Sequence, residues 1–315
     1  MHPSREIIFF TTASGAGYGI LAILGIFGLF NQLPGDRAFG FCALLLAFLL
    51  ITAGLAASTR HLGHPERMML ALTQWRSSWL SREGVLALFT YGPAALFALG
   101  WVGFGHNQGV WADMGALAAL AAVATVFCTA MIYGSLRAIP RWHSVWVPIN
   151  YLALSAMTGA VLLNFIASGF HVAQSEIARI AMVSIVVALI CKVIYWAVTD
   201  AKQVSTIETA TRLGGIGRVT SLDSPHSTPN YLQKEMGFRT SPGVSLGLRG
   251  FVLLWGFAVP FFLVLIGRDT GSDAWALGCA FIAAISAAAG VVAERWLFFA
   301  EAKHQSSMYY GERAV

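Results

Sequence analysis

Between residues 60 and 83 the chain gathers Arg60, His61, His64, Glu66, Arg67, Arg82 and Glu83 into a short polar interval bounded by two long apolar stretches. Imidazole titrates near physiological pH, and a carboxylate sheltered from water holds or releases its proton according to its neighbours, so this interval is equipped for proton exchange. Charge facing lipid costs at least ~2.5 kcal/mol at the bilayer centre, so ionisable groups at a membrane edge are generally turned toward a cavity, a ligand or a partner subunit. The spacing His61-Leu62-Gly63-His64-Pro65-Glu66-Arg67, followed by Trp79-Leu80-Ser81-Arg82-Glu83, brackets one connection between two apolar elements.

Those elements must be membrane spans. Of the 315 residues, 57% are hydrophobic and only 11% charged. A hydrocarbon core of about 30 Å needs roughly 20 mostly apolar residues in a helix. Eight stretches meet that length, at about 7–30, 38–59, 83–104, 111–134, 147–169, 178–199, 245–267 and 275–299. A transmembrane β-barrel would show short segments of alternating polarity, whereas Phe41 to Gly54 and Ala116 to Ala130 are nearly continuous apolar runs. The reading is therefore an all-α polytopic membrane protein: one integral domain, residues 1–315, built as an eight-helix bundle. Arg5 before the first apolar run resembles the start of a signal peptide, but the run is long and no small-residue cleavage site precedes a soluble domain, so a retained first span is expected.

Sixteen of the 20 Lys and Arg fall on one side of this arrangement, against Arg37, Arg179 and Arg268 on the other, with Lys192 inside the sixth span. Basic residues concentrate in cytoplasmic segments, which places both termini and the connections at 60–82, 135–146 and 200–244 in the cytoplasm. These connections are also the long ones. Docking of a soluble partner is favoured for 200–244, which far exceeds a typical helix connection, over basic loops that merely touch anionic headgroups. Gly214-Gly215-Ile216-Gly217 within it follows no strand and reads as a turn rather than a nucleotide fingerprint.

Cys42, Cys128, Cys191 and Cys279 each fall singly in a different span, which excludes a disulfide framework or an iron-sulfur cluster and leaves packing as their role. Haem needs axial ligands opposed across a bundle. The spans hold no histidine in their central turns, so no haem is expected, His61, His64 and His143 at the edge being the only place for one. His143 and His171 read as loop histidines on opposite faces.

The run His61-Leu62-Gly63-x-Pro65-x-Arg67 and the following Trp79-Leu80-Ser81-x-Glu83 resemble the DmsC-like membrane anchors of the DMSO reductase type. Tyr133, then Ile139-Pro140-x-Trp142-x-Ser144-x-Trp146-x-Pro148, resembles the family's link between its fourth and fifth spans, and Glu294-Arg295 its last span. The resemblance covers the whole chain, although the 200–244 connection is longer than the family pattern. It implies a heterotrimer with a molybdopterin catalytic subunit and an electron-transfer subunit holding 4Fe-4S clusters, the molybdopterin and the clusters both lying in the partners. It also implies exchange of electrons with quinone, ubiquinone or menaquinone, in the bacterial inner membrane. Membrane lipid is a further expected partner, and nucleic acid is not.

By the same resemblance His61 contacts the quinone and Glu83 is a second contact or proton relay. Arg67 would hold Glu83 ionised or steady the headgroup, and Arg60 is a weaker candidate. His61 equally suits a helix C-cap that complements the dipole of the second span. Trp142, Trp146 and Tyr133 fit an interfacial aromatic belt, with the wall of a quinone pocket as the alternative for Trp142 or Tyr133. Lys192 could snorkel, pair with Glu294 to order the bundle, or lie on a proton path. A cytoplasmic polar face turns the expected parent enzyme from a DMSO or related S/N-oxide reductase toward a quinone-linked sulfite-oxidising member. A secondary transporter would instead show broken spans in two matching repeats with midplane polar groups, which are not seen. An anchor without any quinone site is the remaining reading.

Overall fold

Each apolar stretch becomes one helix in the computed structural model: α1 (Arg5–Leu29), α2 (Arg37–Arg60), α3 (Trp79–Phe104), α4 (Val110–Gly134), α5 (Trp146–Phe170), α6 (Gln174–Asp200), α7 (Pro242–Arg268) and α8 (Asp273–Ala300). The structure describes every residue except 61–63, 173, 203, 204, 221, 224–227, 229, 270 and 311, and the side chains at 65, 231 and 232 are likewise outside the description. Among the described residues the only β pairing is a single bridge between Thr206 and Ala314. Helices suit this composition because lipid offers no partner for a backbone N–H or C=O, and a helix bonds them internally.

The expected and observed spans agree to within a few residues, and the differences at the helix starts come from capping. Helix α3 begins at Trp79 rather than near 83 because Ser78 precedes it, with its Oγ accepting from the Ser81 N–H at 3.4 Å. Glu83 therefore sits one turn inside the helix instead of opening it. Ser241 caps α7 in the same way, accepting from the Val244 N–H at 3.4 Å, with Pro242 in the first turn, where its missing N–H costs nothing.

Helix α1 is the centre of the bundle. It packs on α2, α4, α5 and α8, while α3 packs on α4, and α6 and α7 flank α5 and α8. Small residues set these contacts, since lipid leaves van der Waals packing as the main attraction between helices. A Cβ added to Gly19 would lie 1.9 Å from the Ser155 carbonyl oxygen, so α1 and α5 meet backbone to backbone. The Ser155 hydroxyl reinforces the crossing by donating to the Gly15 carbonyl at 2.6 Å. Helices α7 and α8 meet through Gly256 and Gly290 in the same manner. Next to that crossing, residues Val252–Ala258 widen into a π-helical turn, as do Leu99–Phe104 at the end of α3.

The elaborated connections and both ends of the chain gather on one face. Val315 pairs with Ser205 through two backbone hydrogen bonds of 3.0 and 2.9 Å, and the Gln305 N–H donates to Ala138 O at 2.8 Å. Lys202 donates to the carbonyls of Pro140 and His143 at 2.6 and 2.7 Å, tying the 201–241 connection to the 135–145 one. Capping boxes at Thr206/Thr209 and Asn230/Gln233 start short helices at Ile207–Thr211 and Tyr231–Met236. The described part of the long connection thus carries two short capped helices and is tied to the neighbouring connection by Lys202.

Candidate functional site

Helix α3 carries Glu83 roughly 6 Å along its axis from Trp79, at about 1.5 Å per residue. The side chain is 4% exposed. Its partner is Thr129 of α4, whose hydroxyl hydrogen-bonds Glu83 Oε1 and also donates to the Thr125 carbonyl at 3.0 Å. Arg67 was expected either to hold this carboxylate ionised or to steady a quinone headgroup. Arg67 is exposed at the end of the 3-10 turn Pro65–Arg67, and among the described residues no basic group pairs with Glu83, so the first of these roles is not seen. The reason is the earlier start of α3, which carries Glu83 inward, away from the connection. Arg60 is exposed at the end of α2, where its charge complements the helix dipole. Arg82 does the anchoring in this region: it donates to the carbonyls of Trp75 and Arg76 at 2.9 and 2.7 Å and stacks 4.3 Å over the Trp79 ring. His61 lies outside the described residues.

Lys192 of α6 and Glu294 of α8 are brought together as expected, at 1% and 0% exposure. A third member joins them that the sequence pattern does not announce. Arg295, which charge counting assigns to the basic residues of one face, is 2% exposed inside the bundle. Each oxygen of the Glu294 carboxylate takes one cation, Oε1 from Lys192 Nζ and Oε2 from Arg295 Nε. With ordinary charges the triad is net positive, and aromatic faces offset part of that: Lys192 Nζ stands 4.3 Å from the Tyr195 ring centroid, and Arg295 Cζ 4.2 Å from that of Tyr151. Snorkelling of Lys192 is replaced by this pairing because α8 presents Glu294 at the same depth.

Tyr133 and Trp142 do not form an interfacial belt. Both are buried, and they pack with Tyr151, Phe298 and Phe299 in one aromatic cluster at the ends of α4, α5 and α8. The Trp142 indole N–H donates to the Phe298 carbonyl at 3.0 Å, which fixes the 135–145 connection under the end of α8. Its donor is thereby used in holding this connection to α8.

Outside the triad, toward the connections, Arg141 and Arg249 bridge Asp200 and Glu301. Arg141 contacts both acids at 2.7 Å, and Arg249 contacts Asp200 at 2.6 Å and Glu301 at 3.0 Å. This network lines an open basin of about 650 Å³ together with Lys202, Arg239 and Lys303. Thr129 and Arg295 were both missed from sequence. The signal for Thr129 was its hydroxyl one turn after Thr125 in an otherwise apolar helix, and that for Arg295 was its place beside Glu294.

The glutamate, the triad, the aromatic cluster and the basin all lie toward the same ends of the eight helices, those bearing the long basic connections. Two comparisons bear on this arrangement. The sequence pattern of the family described as DMSO reductase anchor subunit (DmsC) matches residues 1–300. One of the subunits of the sulfite dehydrogenase of Allochromatium vinosum is similar to the chain, at 33% identity over 337 aligned positions that cover 98% of this chain and 99% of the relative. Eight spanning helices, one elaborated polar face and a family match over nearly the whole length agree: the chain belongs to the DmsC family and is a membrane anchor subunit of a DMSO reductase-type molybdoenzyme.

Proposed function

We propose that this anchor serves a sulfite-oxidising complex and passes its electrons to quinone in the bacterial inner membrane. Its partners are an iron-sulfur electron-transfer subunit and a molybdopterin catalytic subunit docked on the cytoplasmic face. The name of the relative from Allochromatium vinosum supports sulfite as the substrate. The excess of basic residues on the connected face supports the cytoplasmic placement.

Glu83 is the observation that carries the reading: a carboxylate nearly withdrawn from solvent, one turn inside α3, with a hydroxyl partner and no paired cation among the described residues. In the overall reaction sulfite, water and quinone become sulfate and quinol, so two electrons and two protons reach the ring. Each ring oxygen needs a hydrogen-bond partner that can deliver a proton. Glu83 supplies one. His61, on the residues that carry the family resemblance, supplies the other. Thr129 orients the Glu83 carboxyl, and the exposed Arg60 and Arg67, on the connection before α3, favour the approach of electron-rich headgroup oxygens.

The test uses the purified complex with sulfite and a short-chain quinone. Glu83→Gln is expected to lower quinone-linked turnover about 100-fold, the lower range for loss of a positioned proton donor, with the partner subunits still co-purifying. Wild-type turnover by that variant overturns the site. A complex that oxidises quinol with DMSO or an N-oxide, and leaves sulfite untouched, overturns the substrate in favour of the reductase reading.

A further inference from the structure

The open basin of about 650 Å³ is lined by five basic side chains, Arg141, Lys202, Arg239, Arg249 and Lys303, against two acidic ones, Asp200 and Glu301. Arg141 and Arg249 answer both acids within their own network. Arg239 is matched by Glu312 at 2.6 Å, and the Val315 carboxyl accepts from the Ser205 N–H at 3.0 Å. Lys202 and Lys303 are left over. Among the described residues neither ammonium pairs with a carboxylate. Lys202 gives two of its N–H groups to the carbonyls of Pro140 and His143, and an ammonium has a third to offer.

The basin is at headgroup depth. Its walls include Asp200, the last residue of α6, Pro242, the first of α7, and Ala300, the last of α8. Pro242 and Ser245 bring the first turn of α7 to the same wall, and the positive end of that helix dipole favours an anion. The basin is also bordered by lipid. Helix α7 packs on α6 through Val259–Arg268, whereas its opening stretch Pro242–Phe251 packs on α8, so α6 and α7 part toward the basin. Leu246, in that stretch, lines the basin and is 73% exposed. Unmatched cations beside an exposed leucine suit a ligand with an anionic head and an apolar tail.

We infer that this basin binds the phosphodiester head of an anionic phospholipid, with an acyl chain lying over Leu246 where α6 and α7 part. Its volume is within the range of small-ligand sites, about 300–1,000 Å³, and basic pockets between spans hold anionic headgroups in this manner. Lys202 and Lys303 supply the charge that the Arg141 and Arg249 network keeps for its own acids. A lipid held there would tie the ends of three helices together and stabilise the bundle. The site shares no residue with that of Glu83 and does not depend on the quinone reading.

The experiment titrates the detergent-purified chain with phosphatidylglycerol, phosphatidylcholine or inorganic phosphate, and reads apparent affinity from the rise in unfolding midpoint that binding produces. Phosphatidylglycerol is expected to raise the midpoint, and the other two to leave it unchanged. Lys303→Gln should weaken phosphatidylglycerol about fivefold, the contribution of one lysine near a membrane surface. Leu246→Asn should also weaken it about fivefold through lost apolar contact. Both side chains are exposed, so neither change threatens the fold. Arg137→Gln removes an exposed cation of the same face outside the basin and should leave the affinity as it was. Equal weakening by Lys303→Gln and Arg137→Gln would reveal general attraction to a basic face and overturn the site. A rise with inorganic phosphate that Leu246→Asn leaves intact assigns the basin to a free anion and overturns the lipid. The titration is repeated on the assembled complex: a retained response supports the site, and its loss means that a partner subunit fills the basin, which overturns the lipid as occupant.

Discussion

Replacing Glu294 by Gln should damage the bundle far more than replacing Lys192 by Met, although both changes break the same ion pair. Glu294 holds two cations, one on each carboxylate oxygen, and all three residues are at most 2% exposed. Glu294→Gln leaves Lys192 and Arg295 side by side without a counter-charge, and removing one partner of a buried pair costs about 3–5 kcal/mol. Lys192→Met leaves Glu294 and Arg295 as a matched pair and puts a thioether near the Tyr195 and Trp196 rings, so its cost should stay within about 1 kcal/mol. At roughly 2–4 °C per kcal/mol, a loss near 4 kcal/mol lowers the unfolding midpoint by about 8–16 °C. The detergent-purified chain can report this through a fluorogenic thiol reagent, because Cys128 and Cys279 are buried and react on unfolding. Equal falls for the two variants, or no fall for Glu294→Gln, would refute the assignment of Glu294 as the shared counter-ion.

Gly159→Ala would place a Cβ 2.4 Å from the Gly19 carbonyl carbon and 2.5 Å from the Ile20 nitrogen. Overpacking of this kind costs about 1–3 kcal/mol, so the same thiol assay should show a lower midpoint, and an unchanged one would deny the close α1 to α5 crossing. After α8, burial holds His304 below the ordinary histidine value, and its Nδ1 accepts from the Ser306 N–H at 3.2 Å. Protonation removes that acceptor, so the packing of residues 301–315 is complete above the unfolded value of ~6.5 and is lost as pH falls from there through the folded value. Hydrogen exchange in that segment should speed up on acidification in the wild type and not in His304→Gln; the same acid response in both would exclude His304. None of the eight histidines lies within α1–α8. The reduced, purified chain should accordingly lack a b-type α-band, and its presence would mean that edge histidines hold a haem. A fluorescent-protein fusion after Val315 should fluoresce and a phosphatase fusion should be inactive; the reverse pattern would invert the proposed topology.

Much of the fold was legible because lipid imposes one solution on the backbone. Runs such as Ala116 to Ala130 leave no alternative to a helix, and their count and length carry directly into α1–α8. The ends were less legible, since Ser78 and Ser241 extend α3 and α7 by local hydrogen bonds that a hydropathy average does not register. Glu83 entered as a candidate through the family resemblance, and Lys192 and Glu294 through the expense of isolated charge in a membrane. The resemblance left Arg67 either to hold Glu83 ionised or to steady a headgroup, and the first of these needed the two to be neighbours. The one-turn extension of α3 broke that nearness.

Residue type and order by themselves determined that this is an eight-span helical membrane protein with its polar chemistry at one edge, because hydrophobic length and the distribution of Lys and Arg are properties of the linear chain. Which polar groups meet was decided only by tertiary packing. Glu83 and Thr129 are brought together by the packing of α3 on α4, and Lys192, Glu294 and Arg295 by the docking of α6 and α8 around α5 and α7. A helix surface presents every side chain in turn, and the crossings set by glycines such as Gly19 and Gly159 choose which of them face inward at the same depth.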